Sequence, residues 1–217
     1  GNIRIEGIYF DQVSNVTGRL KESTAIRVGF AAETYPFQAP TGIVDHRFRP
    51  FPSKAGVSLS LNRAPFWGSF SELDFRLPLA NGRAALTGGI SYADQRMTDG
   101  SESFSWGVTL RPIVKLGGVE IAPFWHKAWY PHGRPQALAV INGDKLPNFP
   151  PVRRNLGEEW TSARFTNYMM GTTIKAAITR GFSFRGGLFY SGGRRIKAFS
   201  DIYLLQGKKA EAREAFT

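Results

Sequence analysis

"SFSWGVTLRP", residues 103–112, is the stretch from which the rest of the chain can be read. Phe104, Trp106, Val108 and Leu110 fall on every second position, with Ser103, Ser105, Gly107, Thr109 and Arg111 between them. Successive side chains of an extended chain point to opposite faces, so this is a strand with one bulky apolar face and one small, polar face. The alternation recurs on both sides. Val57, Leu59 and Leu61 oppose Ser58, Ser60 and Asn62, and Leu73, Phe75, Leu77 and Leu79 oppose Glu72, Asp74, Arg76 and Pro78. Ala84, Leu86, Ile90 and Tyr92 oppose Arg83, Thr87, Ser91 and Ala93, and Val119, Ile121, Pro123 and Trp125 oppose Glu120, Ala122, Phe124 and His126. Two later runs, around Tyr168 to Ile178 and Phe182 to Tyr190, behave likewise, which makes about seven strands of about ten residues. The exceptions are Lys127, on the apolar side where its amine can snorkel, and Phe124, Met169 and Phe189, apolar residues on the polar face.

Connections alternate as regularly as the side chains. Ala80-Asn81-Gly82 carries a hairpin signal, and residues 113–117 and 179–181 are also short. Between them lie longer segments, residues 63–68 and 94–102, then a Pro-rich, charged stretch from Tyr130 to Trp160 and whatever follows Gly192. Short turns therefore share one end of the sheet and long loops the other, the pattern of an outer-membrane meander. Tyr92, Phe104, Trp106, Trp125, Trp129, Tyr168 and Tyr190 lie on apolar faces toward the long-loop ends, as an interfacial aromatic belt requires. A soluble β-sandwich also alternates, its apolar faces interlocking in a core, and remains an alternative at this point.

Composition narrows the class. The chain of 217 residues has 24 Gly, 13 Pro and 13% aromatic residues, which favours a β-rich protein with many turns. Its net charge of +11 suits an anionic partner such as a lipid head group, an acidic ligand or nucleic acid. No cysteine is present, so disulfides and thiolate metal sites are excluded, and no apolar run is long enough for a membrane helix. The three histidines, His46, His126 and His132, have no ligand spacing, so neither metal nor cofactor is expected. Neither a nucleophile elbow nor a phosphate-binding Gly loop occurs, and an enzyme is not expected. Asn15-Val16-Thr17 fits a glycosylation sequon, a pattern common by chance.

The first fifty residues differ in kind. "NIRIEGIYFDQ" is a short strand passing into a polar turn, and "STAIRVGFAAETYPFQAPTGIVDHRFRP" holds a strand, a small-residue loop, a Pro40/Gly42 turn and a second strand, Gly42 to Phe48. This reads as a compact α/β piece. Here the chain resembles the TonB-dependent outer-membrane receptors. Asn2 to Gly7 is similar to that family's plug strand "N-I-R-I-R-G" and Ala25 to Ala32 to its "I-E-V-x-x-G-P-A" segment, with Gly29-Phe30 where Gly-Pro is usual. Ala39 to Phe48 is similar to the "G-x-I-N-x-x-x-K" strand that leads into the barrel.

The resemblance implies an all-β fold: an antiparallel transmembrane β-barrel, part of one with about twenty-two strands, preceded by part of an α/β plug. Residues 1–50 would be the C-terminal part of the plug and residues 51–217 the first seven or so barrel strands, a fragment of a receptor in the outer membrane. Its implied cargo is an iron-siderophore or similar nutrient complex, with iron arriving inside its chelator. Implied partners are TonB, which would engage a segment ahead of Gly1, and outer-membrane lipid and lipopolysaccharide, with no nucleic acid. A small barrel or adhesin that binds a partner through its loops without transport is the alternative.

Glu72, Asp74, Arg76, Arg111, Glu120, His126, Lys175 and Arg185 would line the lumen, some meeting the plug and others the ligand. Trp129, Tyr130, Arg153, Arg154 and Trp160 would belong to the extracellular ligand-capture loops, where Arg153-Arg154 and Arg194-Arg195 could meet phosphates or an anionic siderophore. Tyr92, Phe104, Trp106, Trp125, Tyr168 and Tyr190 would form the lipid-facing belt.

Overall fold

The computed structural model describes residues 2–10, 16–32, 41–142, 151–205 and 211–216 of the chain. Four short strands come first: β1 (Ile3–Ile5), β2 (Ile8–Tyr9), β3 (Lys21–Arg27) and β4 (Ile43–Phe48). Glu6 and Gly7 both take positive φ, 57° and 80°, which is the two-residue turn that matches the twist of a hairpin, and it folds β2 back onto β1. β1 then pairs parallel with β4, and β3 antiparallel with β4, so the order is β2-β1-β4-β3. The α/β reading of this region changes in one respect. Among the described residues the segment after β3 forms only a 3-10 turn, Gly29–Ala32, because it offers a few small residues and no apolar repeat long enough to wind a helix against the sheet. Part of the Pro40/Gly42 turn, residues 33–38 of the quoted segment and Asn15 of the sequon lie outside the described residues.

The second sheet follows: β5 (Gly56–Arg63), β6 (Ser69–Leu79), β7 (Ala84–Arg96), β8 (Glu102–Leu116) and β9 (Val119–Tyr130). After two short pieces, β10 (Gly133–Arg134) and β11 (Leu138–Asn142), come β12 (Ser162–Ala177), β13 (Ser183–Leu205) and β14 (Glu211–Phe216). β5, β6, β7, β8, β9, β12 and β13 form an antiparallel meander in chain order, with β10 set against β8, and β11 and β14 against the far end of β13. The fold is thus all-β, an open antiparallel sheet of barrel type. None of its described helical segments is long and apolar enough to cross a membrane.

Register fixes the two faces. Leu59, Leu73, Ile90 and Val108 are successive cross-strand partners, and so are Leu110, Trp125, Met170 and Tyr190. One face therefore stays coherent over all seven strands, as the strict side-chain period of two demands. Its residues lie open: Leu59 is 63% exposed, Trp106 50% and Leu188 76%. On the opposite face sit the buried ones, Ala122, Phe124, Met169, Thr109, Thr173 and Arg111. Phe124, Met169 and Phe189, which break the alternation, are where the first sheet packs: they join Ile5, Phe10, Val16, Leu20 and Phe48 in one apolar cluster. Phe48 meets Phe124 edge-on at 5.0 Å, and Phe10 lies 5.2 Å from Phe189. The two sheets share a core on the polar side, and the greasy side lies open.

Two boundaries shift from the sequence reading. β13 runs on through Gly192-Gly193 and the Arg194-Arg195 pair to Leu205, because the first third of β12 pairs with it as far as Ala198 and β14 and β11 pair with it beyond. β8 reaches Leu116, so the turn to β9 is only Gly117-Gly118.

Candidate functional site

The polar face of the meander carries the first sheet, and charged side chains meet there. The Glu6-Gly7 turn is one centre. Glu6 is buried; its Oε1 accepts the Phe48 backbone N–H at 2.8 Å, its Oε2 faces the Lys175 ammonium of β12 at 3.0 Å, and its carbonyl accepts from Arg185 of β13 at 3.2 Å. Asp45, across the sheet, accepts the Gly7 N–H at 2.9 Å. One carboxylate thus ties β1 to the end of β4 and to the wall.

The second centre lies against β6. Arg19 pairs with Glu72 and stands 3.8 Å from Asp74, whose other oxygen meets Arg49 at 2.9 Å. Arg49 begins the connection from β4 to β5, and Arg111 of β8, only 1% exposed, donates to its carbonyl at 2.6 Å while lying over the Phe48 ring. Of the eight lumen candidates, Glu72, Asp74, Arg111, Lys175 and Arg185 therefore touch residues of the first fifty. Arg76 instead borders a cavity of about 790 Å³ between the 49–56 connection and β5 to β7, where Lys21, Arg49 and Lys54 outnumber Glu22 and Asp74. Glu120 lines a smaller cavity at the short-turn end, together with Lys115, Lys175 and Arg185.

His126 is buried on the inner face, with Nδ1 2.9 Å from the Thr109 hydroxyl and 3.1 Å from the Val108 carbonyl. His132 stacks on Phe104, and His46 sits beside the Thr24 hydroxyl at 3.0 Å. Burial, then the charge of Lys21, holds His46 below its ordinary value, with Asp45 opposing. Among the described residues no cluster of His, Asp and Glu is placed to hold a metal.

At the other end the long connections converge. Arg153 donates its backbone N–H to Thr98 at 2.6 Å and its guanidinium to the Phe66 carbonyl at 3.2 Å, so the 151–161 segment spans the loops after β5 and β7. Asn155 donates to Pro135, and Arg134 to Gly157, tying β10 into the same assembly. A cavity of about 230 Å³ opens here, lined by Met97, Glu102, Arg134, Gln136, Phe165 and Lys197 among others. Arg154 is exposed, its N–H bonded to Pro151, and Trp160 is 38% exposed; Tyr130 turns inward against Phe165, whereas Trp129 stands at an outward position. Tyr92, Phe104, Trp106, Trp125, Tyr168 and Tyr190 all occupy outward positions, with Tyr92 packed 4.8 Å from Trp106.

Sequence reasoning overlooked the inner sheet's share: Glu6, Arg19, Asp45 and Arg49. A signal existed. Phe124, Met169 and Phe189 broke the alternation, and an apolar residue on a polar face needs something to cover it.

No family model and no curated protein matches the chain. Solved structures do. The closed form of the ferric-catecholate import receptor Fiu from E. coli K12 superimposes with a TM-score of 0.74 at 15% identity, over 98% of this chain and 34% of that one. BauA, the ferric preacinetobactin receptor of Acinetobacter baumannii, gives 0.75 at 9% identity, over 98% and 33%. FpvA, the pyoverdine outer membrane receptor of Pseudomonas aeruginosa PAO1 solved with pyoverdine bound, gives 0.73 at 12%, over 93% and 31%. The chain spans about a third of the length of these solved receptors. Over nearly all of that span its fold is the one shared by outer-membrane siderophore receptors.

Proposed function

We propose that the chain is part of a TonB-dependent receptor in the outer membrane of a Gram-negative bacterium, importing an iron-siderophore or similar nutrient complex. One observation carries the reading: a meander whose outer face is apolar and exposed through the middle of its strands holds a small polar-edged sheet against its inner face. A soluble sandwich would bury the greasy face, and a barrel that merely displayed its loops would gain nothing by locking Glu6 and Arg19 to its wall.

In this reading residues 1–50 are the end of the plug and residues 51–217 the first barrel strands. The open edges of the sheet then pair with further strands, since lipid satisfies no backbone N–H. Cargo meets the loop assembly around Arg134, Arg153, Arg154 and Lys197, whose cations suit an anionic chelate. The plug obstructs the lumen, and a pull through TonB loosens its ion pairs to let cargo pass. The protein transports its ligand and transforms nothing. Deleting residues 131–150 from the full-length receptor is expected to abolish cargo uptake while leaving barrel insertion intact; unchanged uptake in a transport assay sinks the assignment of that loop. Residues 143–150 of the deletion lie outside the described part.

A further inference from the structure

The connection that carries the inner sheet into the wall, residues 49–55, borders the cavity of about 790 Å³ at the short-turn end. Its charge is lopsided. Asp74 is already held by Arg49 at 2.9 Å and faces Arg19 at 3.8 Å, whereas Lys21, Lys54 and Arg76 enter no ion pair among the described residues. Glu22 is the one further carboxylate in the described lining, so three unanswered cations face a single acid. Arg76 lies along the wall because its partner in register is Gly56, where a Cβ would stand only 3.0 Å from the Arg76 Nε. A side chain at that position would push the guanidinium aside. Pro50, Phe51 and Pro52 supply the apolar part of the lining. Phe51 is fixed there, packed on Ala85, Ile113 and Ala122, with the Lys115 ammonium 4.0 Å from its ring centroid.

Like charges gathered round one hollow repel each other, and an anion that enters it removes the repulsion. A hollow of this volume takes small organic ligands, which such sites grip with apolar walls and a few placed polar groups. Its position adds a direction: it opens at the seam between inner sheet and wall, at the end opposite the loop assembly. We propose that this cavity is a second binding site for an anionic metal chelate, receiving it on the short-turn side once it has passed the inner sheet. Lys21, Lys54 and Arg76 meet the oxygen atoms of the chelate, and Phe51 and Pro52 its organic rind. The inference rests on the transport reading above and deepens it. The loop cations collect the cargo, and those at the far end hold it against return. The Arg76 guanidinium gives paired donors to ligand oxygens and the two ammoniums point charges.

The test uses the full-length receptor in detergent, in a background free of other cysteines, with Ser53→Cys in the cavity lining carrying a fluorophore. The fluorophore emits beyond the absorption band of the probe, so only iron at close range quenches it. The probe is the iron(III) complex of a tripodal tricatecholate, a compact trianion, and its comparator the uncharged iron(III) complex of a tripodal trihydroxamate. Saturable quenching by the trianion is expected, with affinity at least about tenfold lower in Lys21→Gln/Lys54→Gln/Arg76→Gln. Lys54→Arg/Arg76→Lys should retain most of the binding, and Arg83→Gln/Arg180→Gln, at the neighbouring turns but outside the cavity, should lose none. Equal affinity of the parent and the triple variant overturns the proposal, as does equal affinity of the parent for the trianion and its uncharged comparator. Insertion of the unlabelled receptor into liposomes is scored separately. Its failure overturns the outer-membrane reading itself, whereas insertion without saturable quenching overturns the second site alone.

Discussion

Glu6 shows how one residue couples two sheets. Its carboxylate is removed from water and answered by a backbone N–H and an ammonium, so truncation would leave both of those groups short of a partner. Glu6→Ala is expected to destabilise the β1–β4 region by about 2 to 3 kcal/mol, seen as faster amide exchange there with little change in the barrel strands. His46 provides a pH test of the same region. Its folded pKa is depressed, so the stability it contributes is present above the unfolded value of about 6.5 and is lost as pH falls through that value toward the folded one. Exchange in β3 and β4, corrected for intrinsic rates, should therefore rise below about pH 6.5, and His46→Gln should flatten the rise. Pairing of this sort was only half legible in the sequence. Alternation put Asp74, Arg111 and Lys175 on one face, but partners such as Arg19 and Arg49 sit in irregular segments with no period to betray them.

At the scale of the strand, register makes a single substitution report on what surrounds it. Leu73 lies near the middle of β6 on the open face, opposite Leu59 and Ile90. Leu73→Arg is expected to lower stability by about 2 to 4 kcal/mol in denaturant unfolding from vesicles, while Ser58→Arg, on the inner face, stays near neutral. In a soluble protein the exposed Leu73 site would tolerate the change, so a neutral result removes lipid from the picture. Strand identity and facing were readable from residues 103–112 and their relatives because an open apolar face on one side and polar groups on the other impose a period of two. Strand ends were less so. Gly192-Gly193 and Arg194-Arg195 look like loop residues, yet pairing with β12 carries β13 straight through them, and local composition has no knowledge of such a neighbour.

Over the whole molecule, an inner sheet hangs from the wall by a short connection, residues 49–55, that Arg111 pins at its first carbonyl. β4 runs parallel to β1 and leads directly into that anchor. Force entering through the chain ahead of β1 and resisted at the end of β4 would act on opposite ends of two parallel strands. Their hydrogen bonds are then loaded together in shear, whereas the β3–β4 pair, being antiparallel, opens rung by rung from an end. In single-molecule pulling on the full-length receptor from its N-terminal side, β1 should therefore detach late and abruptly, after softer extension events. An early, gradual release of β1 would contradict this. Mechanical strength in such a protein would come from the direction in which two short strands happen to run, and reversing one of them would weaken the closure without removing a single contact.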